Sequence, residues 1–356
     1  MPSFAIGVDL GGTNLRIAAV DDQGTLLEKV TLGTHVARGR DYVISEMCDA
    51  IRELSTKFSR SGPMIGAGIG IPGIIDQRTG TLRDSPNLPG WHNYPVRTEI
   101  EQRLGAPVLL ENDANAAAFG EAWLGAARGQ ESMCMITLGT GVGGGLVLDG
   151  KIWRGMTGMA GEVGHMTIDP NGPRCKCGNI GCVEQFASAT AVVRMAREAI
   201  ANGSAPELSR AANAHDVEFS AKVVYNLAIR GDQAARAIFD RVGWALGILV
   251  ADLVNMLNLN MYVIGGGVSA AWSVFSPAMF EEVRKRSMVY AATAPVEHVA
   301  APAGASGEVV SPSTGQPTII TRALLGSDAG LYGAARLPMV EGERREAAGQ
   351  GKRKFA

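Results

Sequence analysis

Apolar residues along this chain recur with two different periods, and the switches between them mark out its elements. Residues 4–8, 15–20 and 26–32 are short apolar or alternating runs between turns rich in glycine and aspartate, which predicts three strands. The period then changes: Val43, Ile44, Met47, Cys48, Ile51, Leu54 and Phe58 fall on one face of a helix over 41–58. Residues 65–71 predict a buried strand closed by Pro72-Gly73, 108–110 a short strand, and the alanine-rich run 114–126 a helix. Further on, 133–138 and 146–148 predict strands, 187–202 and 219–258 are mostly helical, and 261–264 predicts another strand. Residues 274–286 read as helix in spite of Pro277, and 327–337 as a last helix. Residues 302–317 are rich in Pro, Gly and Ser and read as a surface loop. The tail 341–356 mixes charges without an apolar period and reads as disordered.

One arrangement occurs twice. Strand, glycine turn (Asp9-Leu-Gly-Gly-Thr-Asn14), strand and Asp/Gly turn over 4–24 return over 133–150, with Gly139-Thr-Gly-Val-Gly-Gly-Gly145 as the turn. A repeated unit of this kind predicts two related halves facing each other across a cleft. Glycine lets backbone N–H groups approach phosphate oxygens closely, so the two turns could grip a phosphate chain from both sides. Asp9, at the end of the first strand, could organise Mg²⁺ through its waters. A third turn, Gly265-Gly-Gly-Val-Ser269, leads toward a helix and suits the approach of a flat ring or ribose. Neither of the first two turns has the Gly-x4-Gly-Lys-Ser/Thr pattern, and neither opens into a helix as a dinucleotide fingerprint does.

Composition narrows the class. At 356 residues, with 46% hydrophobic and 19% charged residues, the chain is long enough for two globular domains. A formal charge of −2 supplies no pull toward nucleic acid or an anionic membrane. Residues 1–8 carry no basic, then apolar, leader. The most apolar run, 244–264, is broken by Asp252, Asn255, Asn258 and Asn260, so no membrane span is expected. The expectation is a cytoplasmic protein.

Of 5 cysteines, Cys48 and Cys134 sit among apolar residues and read as core thiols. Cys175, Cys177 and Cys182 form a C-x-C-x4-C pattern just after His165, a plausible Cys₃His zinc set, with Gly178 and Gly181 allowing tight turns between ligands. A disulfide with one thiol left over is the rival reading, but nothing here indicates secretion. Four protein ligands close the coordination shell, which argues for structural zinc. Glu162 and Glu184 border the cluster, and a purely structural knuckle has no use for them. Asp113 sits at a strand-to-helix junction, where a helix N-cap is its commonplace role. Asn87, between prolines, is either a rigidly aimed polar group or part of a surface turn.

The stretches Asp9–Arg16, Gly70-Ile-Pro-Gly73, Glu111-Asn-Asp-Ala-Asn115, 138–144, Glu162-Val-Gly-His165, the cysteine motif through Glu184 and 264–268 together resemble the ROK family of sugar kinases. That resemblance implies an α/β fold of two RNase H-like (actin-like ATPase) domains facing a central cleft. Residues 1–113 plus 326–340 would form a small N-terminal domain, and 114–325 a large one carrying the zinc motif. It implies Asp113 as general base on a sugar hydroxyl, most simply the 6-OH, with Asn112, Gly73 and Asn87 also against the sugar. Glu162, His165 and Glu184 would bind ring hydroxyls on the anomeric side, His165 giving one nitrogen to zinc and the other to sugar. Asp9, Gly11, Gly12 and Thr13, with Gly139, Thr140 and Gly141, would hold the phosphates of Mg-ATP, and Gly266 and Gly267 would face adenosine.

Residues 182–190 resemble the glucokinase branch, so glucose is the expected substrate. Fructose, N-acetylglucosamine and N-acetylmannosamine are the alternatives, and polyphosphate is an alternative donor. The resemblance further implies a homodimer with a hexose and ATP as ligands and no nucleic-acid or membrane partner. A sugar-sensing regulator of the family would place a winged-helix domain ahead of the first glycine turn, whereas Asp9 lies close to the start of this sequence. An actin-like or chaperone ATPase would have no use for the cysteine motif or Asn112-Asp113.

Overall fold

The computed structural model describes residues 3–214, 218–295 and 316–353. In chain order the elements are β1 (Phe4–Leu10), β2 (Asn14–Asp21), β3 (Leu26–Gly33), α1 (Arg40–Phe58), β4 (Met64–Ile71), β5 (Ile74–Asp76), β6 (Thr81–Asp84), α2 (Val96–Leu104), β7 (Val108–Asn112) and α3 (Asp113–Leu124). There follow β8 (Met133–Leu138), β9 (Val142–Leu148), β10 (Lys151–Ile152), α4 (Glu184–Ala187), α5 (Ala189–Ala201), α6 (Pro206–Ala212), α7 (Ala221–Ile229) and α8 (Gln233–Leu257). The last are β11 (Met261–Gly265), α9 (Trp272–Arg286), α10 (Met288–Thr293), β12 (Ile319–Arg322) and α11 (Ala329–Arg353).

The chain divides into two compact units. The first comprises residues 1–131, 145–161 and 324–356, the second 132–144 and 162–323. In the first unit the sheet runs β3-β2-β1-β4-β7. β1 pairs antiparallel with β2 and parallel with β4, and β4 pairs parallel with β7. One face is covered by α1, whose Val43, Ile44, Met47, Cys48, Ile51 and Leu54 are buried as the period predicts. On the other face α11 lies so close that a Cβ at Gly7 would fall 2.1 Å from the Leu331 carbonyl oxygen, and one at Gly68 1.8 Å from that of Ala334.

The boundary expected at Asp113 is therefore displaced. α3 belongs to the first unit because it packs backbone-close on α11: a Cβ at Gly120 would meet the Ala329 oxygen at 2.1 Å, and one at Gly333 the Ala116 oxygen at 1.7 Å. The fully buried Glu121 carboxylate ties this corner together, accepting backbone N–H bonds from Ala126 (2.7 Å), Leu324 (3.1 Å) and Leu325 (2.8 Å). The tail expectation is corrected too. α11 runs on past Pro338 to Arg353, with an Arg345–Glu341 pair one turn apart supporting its exposed face.

The second sheet has the order β10-β9-β8-β11-β12, the same order as the first when its strands are counted from β8. β11 pairs parallel with both β8 and β12, so the internal repeat read from the glycine turns is a repeat of topology. The predicted helical region 219–258 is two helices broken at 230–232, where Asp232 caps α8 by accepting from the Ala235 N–H at 2.7 Å. α8 and α9 approach at Gly243, whose Cβ would lie 2.2 Å from the Phe275 oxygen. Cys48 and Cys134 are both fully buried. No helix among the described residues is long and apolar enough to cross a membrane. Of the predicted surface loop 302–317, residues 302–315 lie outside the described residues.

Candidate active site and metal centre

In the first unit, β1 delivers Asp9 opposite Arg16 of β2, and the Arg16 guanidinium donates to Asp9 Oδ2 at 2.8 Å. Burial raises the Asp9 carboxyl above its usual value, with the hydrogen bond and charge of Arg16 pulling the other way. The turn that follows is pinned from outside. Gly11 N–H donates to the Asn14 oxygen (2.9 Å), the Thr34 hydroxyl donates to the Gly11 oxygen (2.6 Å), and Thr34 N–H donates to the Thr13 oxygen (2.9 Å). Thr13 is exposed, and Gly11 and Gly12 are half-buried, so the turn stays accessible to a ligand. A Cβ on Gly12 would lie 3.5 Å from that of Asn87, and α11 brings Gly330 to within 3.3 Å of Asp9 Cγ by the same measure. The turn at Asn87 thus abuts the first glycine turn.

β7 ends in Asn112, and its side chain, not that of Asp113, caps α3. Asn112 Oδ1 accepts from the N–H groups of Ala114 (3.0 Å) and Asn115 (3.2 Å). Asn112 Nδ2 donates to the Gly73 oxygen at 3.3 Å. Gly73 has φ +128, and a Cβ there would sit 2.2 Å from the Asp84 oxygen, so only glycine fits. Asp113 occupies the first turn of α3, where the helix dipole favours a carboxylate, and its Oδ1 accepts from Ala114 N–H at 3.0 Å. Asp113 is thus not the cap of the helix it begins.

The second unit carries two further glycine turns side by side. Gly139 N–H donates to the Gly141 oxygen (2.9 Å), while Ala189 N–H and the Thr190 hydroxyl donate to the oxygens of Gly139 (2.9 Å) and Thr140 (2.7 Å). Gly266 (φ +83) would place a Cβ 2.5 Å from the Leu138 oxygen, so the turn after β11 packs on the end of β8. A Cβ at Gly267 meets nothing within 4 Å.

His165, Cys175, Cys177 and Cys182 converge, with their ligand atoms all within 4.8 Å of one another. Cys177 and Cys182 sulfurs are 3.7 Å apart, and Cys175 Sγ lies 3.8 Å from His165 Nδ1. Tetrahedral zinc with Zn–S near 2.3 Å separates its sulfur ligands by about 3.8 Å, so these residues fit a closed Cys₃His site. Burial pushes the Cys182 thiol up to about 12, whereas the Asn179 backbone N–H holds exposed Cys177 below its usual value. The positive-φ glycines Gly178 and Gly181 make the turns between ligands, Gly181 within 1.6 Å (by its missing Cβ) of the Asp169 oxygen.

The carboxylates that border the cluster are engaged with it. His165 Nε2 points toward Glu162, at 3.9 Å from Oε2, so the ring turns one nitrogen to the cysteines and the other to a carboxylate. Glu184 lies with Oε1 3.9 Å from Cys175 Sγ, and its Oε2 accepts from Val142 N–H at 3.0 Å. A Cβ on Gly141 would fall 2.3 Å from that same oxygen. Glu184 therefore joins the cysteine motif to the second glycine turn, a link the sequence pattern did not announce. Also missed were Arg154 and the buried Glu111; an acid ending the otherwise apolar run 108–111 was the one signal available.

Comparison with known proteins agrees in extent and in kind. The model of the ROK family matches residues 5–339. A glucokinase of Thermotoga maritima is 41% identical over 278 residues, covering 78% of this chain and 86% of that protein. Among solved structures, a ROK hexokinase from Thermus thermophilus superposes with a TM-score of 0.74 at 31% identity, covering 96% of this chain and 99% of the other. A ROK family glucokinase from Streptomyces griseus in complex with glucose and AMPPNP gives 0.70 at 32% identity, covering 94% and 98%.

Proposed function

The chain belongs to the ROK family, and from that premise we propose that it transfers the terminal phosphoryl group of ATP to the 6-hydroxyl of glucose. The observation that carries the sugar assignment is the orientation of His165. With Nδ1 turned to the cysteines, a neutral ring presents Nε2–H as a donor beside the Glu162 acceptor. A hydroxyl needs such a paired donor and acceptor. Zinc, when bound, fixes the tautomer and orientation of that ring.

In this reading Glu162, His165 and Glu184 bind ring hydroxyls, and Gly73, Asn87 and Asn112 also contact the sugar. The Asp113 carboxylate takes the proton of the 6-OH as the new O–P bond forms and the bond from phosphorus to the ADP oxygen breaks. The turn at Gly11, Gly12 and Thr13, through the N–H groups of Gly12 and Thr13, and that at Gly139, Thr140 and Gly141, through those of Thr140 and Gly141, bind the phosphates, with Gly266 and Gly267 against adenosine. Asp9 would hold Mg²⁺, which would neutralise charge on the phosphates. Phosphoryl transfer asks a protein chiefly for alignment and charge stabilisation, and these residues supply both. The same reading makes the enzyme a cytoplasmic homodimer without a nucleic-acid partner. A panel of hexoses with ATP or polyphosphate, read by coupled ADP or sugar-phosphate formation, tests substrate and donor together.

Gly141→Ala is expected to act through Glu184. The added methyl displaces the far end of a flexible side chain, not backbone, so the fold is kept while the carboxylate leaves Val142 N–H. Glucose kcat/KM should fall about ten- to a hundred-fold with an unchanged thermal midpoint. An unaltered kcat/KM would show that Glu184 has no need of its position.

A further inference from the structure

Glu111 is a carboxylate whose side chain is only 1% exposed, one position before the cap and two before Asp113. Its two oxygens have separate tasks. Oε2 takes both donors of one guanidinium, Arg154 Nε at 2.7 Å and Nη2 at 2.6 Å. Oε1 takes the Asn112 N–H at 3.0 Å and Asn115 Nδ2 at 3.1 Å. Those last two residues bracket Asp113, and both are held by the same oxygen atom. Asn115 is itself buried, and its Oδ1 has no hydrogen-bond partner among the described residues, so its amide is held through the Glu111 bond alone on that face.

We propose that Glu111 and Arg154 are positioning residues for Asp113: the buried carboxylate, paired with the half-buried guanidinium, fixes the Asn112–Asn115 turn, and through it the direction of the Asp113 carboxylate. A buried carboxylate recovers little of its desolvation cost from an ion pair, and an apolar side chain of similar volume commonly serves stability equally well. What apolar side chains cannot do is accept two hydrogen bonds on opposite sides of the residue that must be aimed. Arg154 reaches Glu111 from 43 positions further along the chain, after β10, and so supplies an anchor independent of the strand and helix it steadies.

This inference rests on the reading of Asp113 as the proton acceptor, and the test separates the two. The double variant Glu111→Leu/Arg154→Met removes the charges while keeping bulk. It leaves the Asn112 N–H and the buried Asn115 amide without their acceptor, so its thermal midpoint should fall by a few degrees, while kcat for glucose should fall about a hundred-fold and KM for ATP should stay within about three-fold. Amide hydrogen exchange at residues 112–115 should quicken while the rest of the first unit stays protected. The variant Glu111→Gln/Arg154→Met keeps an acceptor oxygen for Asn112 and Asn115 and should recover at least about ten-fold of the lost kcat. If the wild type phosphorylates no hexose, the functional reading fails while the exchange measurement still judges the pair. Exchange unchanged at 112–115, or quickened to the same degree across the whole unit, overturns the proposal and leaves the pair with no role beyond stability.

Discussion

Asp113→Asn is expected to lower kcat for glucose by about 10²- to 10⁴-fold, the usual contribution of a positioned general base. The amide is nearly isosteric and keeps an oxygen for the Ala114 N–H, so the local bond at 3.0 Å is preserved. Capping of α3 is the task of Asn112, so the thermal midpoint should hold. The KM for glucose should change little, because a base that acts on the proton in the transition state contributes little to ground-state binding. Steady-state kinetics with a parallel melting curve decide it. A near-normal kcat would reduce Asp113 to a first-turn acid that favours the helix dipole.

Cys177→Ser should remove zinc and weaken glucose binding in one step. Cys177 is the exposed member of the set, whereas Cys175 and Cys182 are 7% and 0% exposed, so its replacement leaves the packing of the knuckle alone. Serine is a poor zinc ligand, and with three ligands left the His165 ring loses what fixes its orientation. Partners that orient a site in this indirect way typically matter by about 10- to 100-fold. The glucose KM should rise on that scale, with metal content per chain falling in the same preparation. A zinc-free protein with an unchanged glucose KM would separate the metal from sugar recognition.

The two glycine turns, Asp9–Asn14 and Gly139–Gly145, were enough to reveal the duplicated topology, because a strand-turn-strand echo is local and survives without tertiary information. Short elements escaped notice. β5, β6 and β12 span only three or four residues, too few for a period to register, and α2 and α10 hide in polar or mixed stretches. The allocation of α3 failed for a different reason. Its Gly120 looks like generic helix composition until α11 is seen to need it small. At the site, the convergence of the three cysteines was legible from spacing, since turns of a few residues must bring them together. Asn112 and Asp113 are equally good caps by type. Only the extended backbone of Asn112 (φ −62, ψ 145) decides between them. The Glu111–Arg154 pair and the bond from Val142 N–H to Glu184 join residues 43 and 42 positions apart, a distance at which no pattern along the chain speaks.

The most direct test of the whole account is ADP release by the purified chain with Mg-ATP, measured with and without glucose. Release should be slow alone, rise steeply on adding glucose, and be matched mole for mole by glucose 6-phosphate. ATP turnover indifferent to every hexose would contradict it.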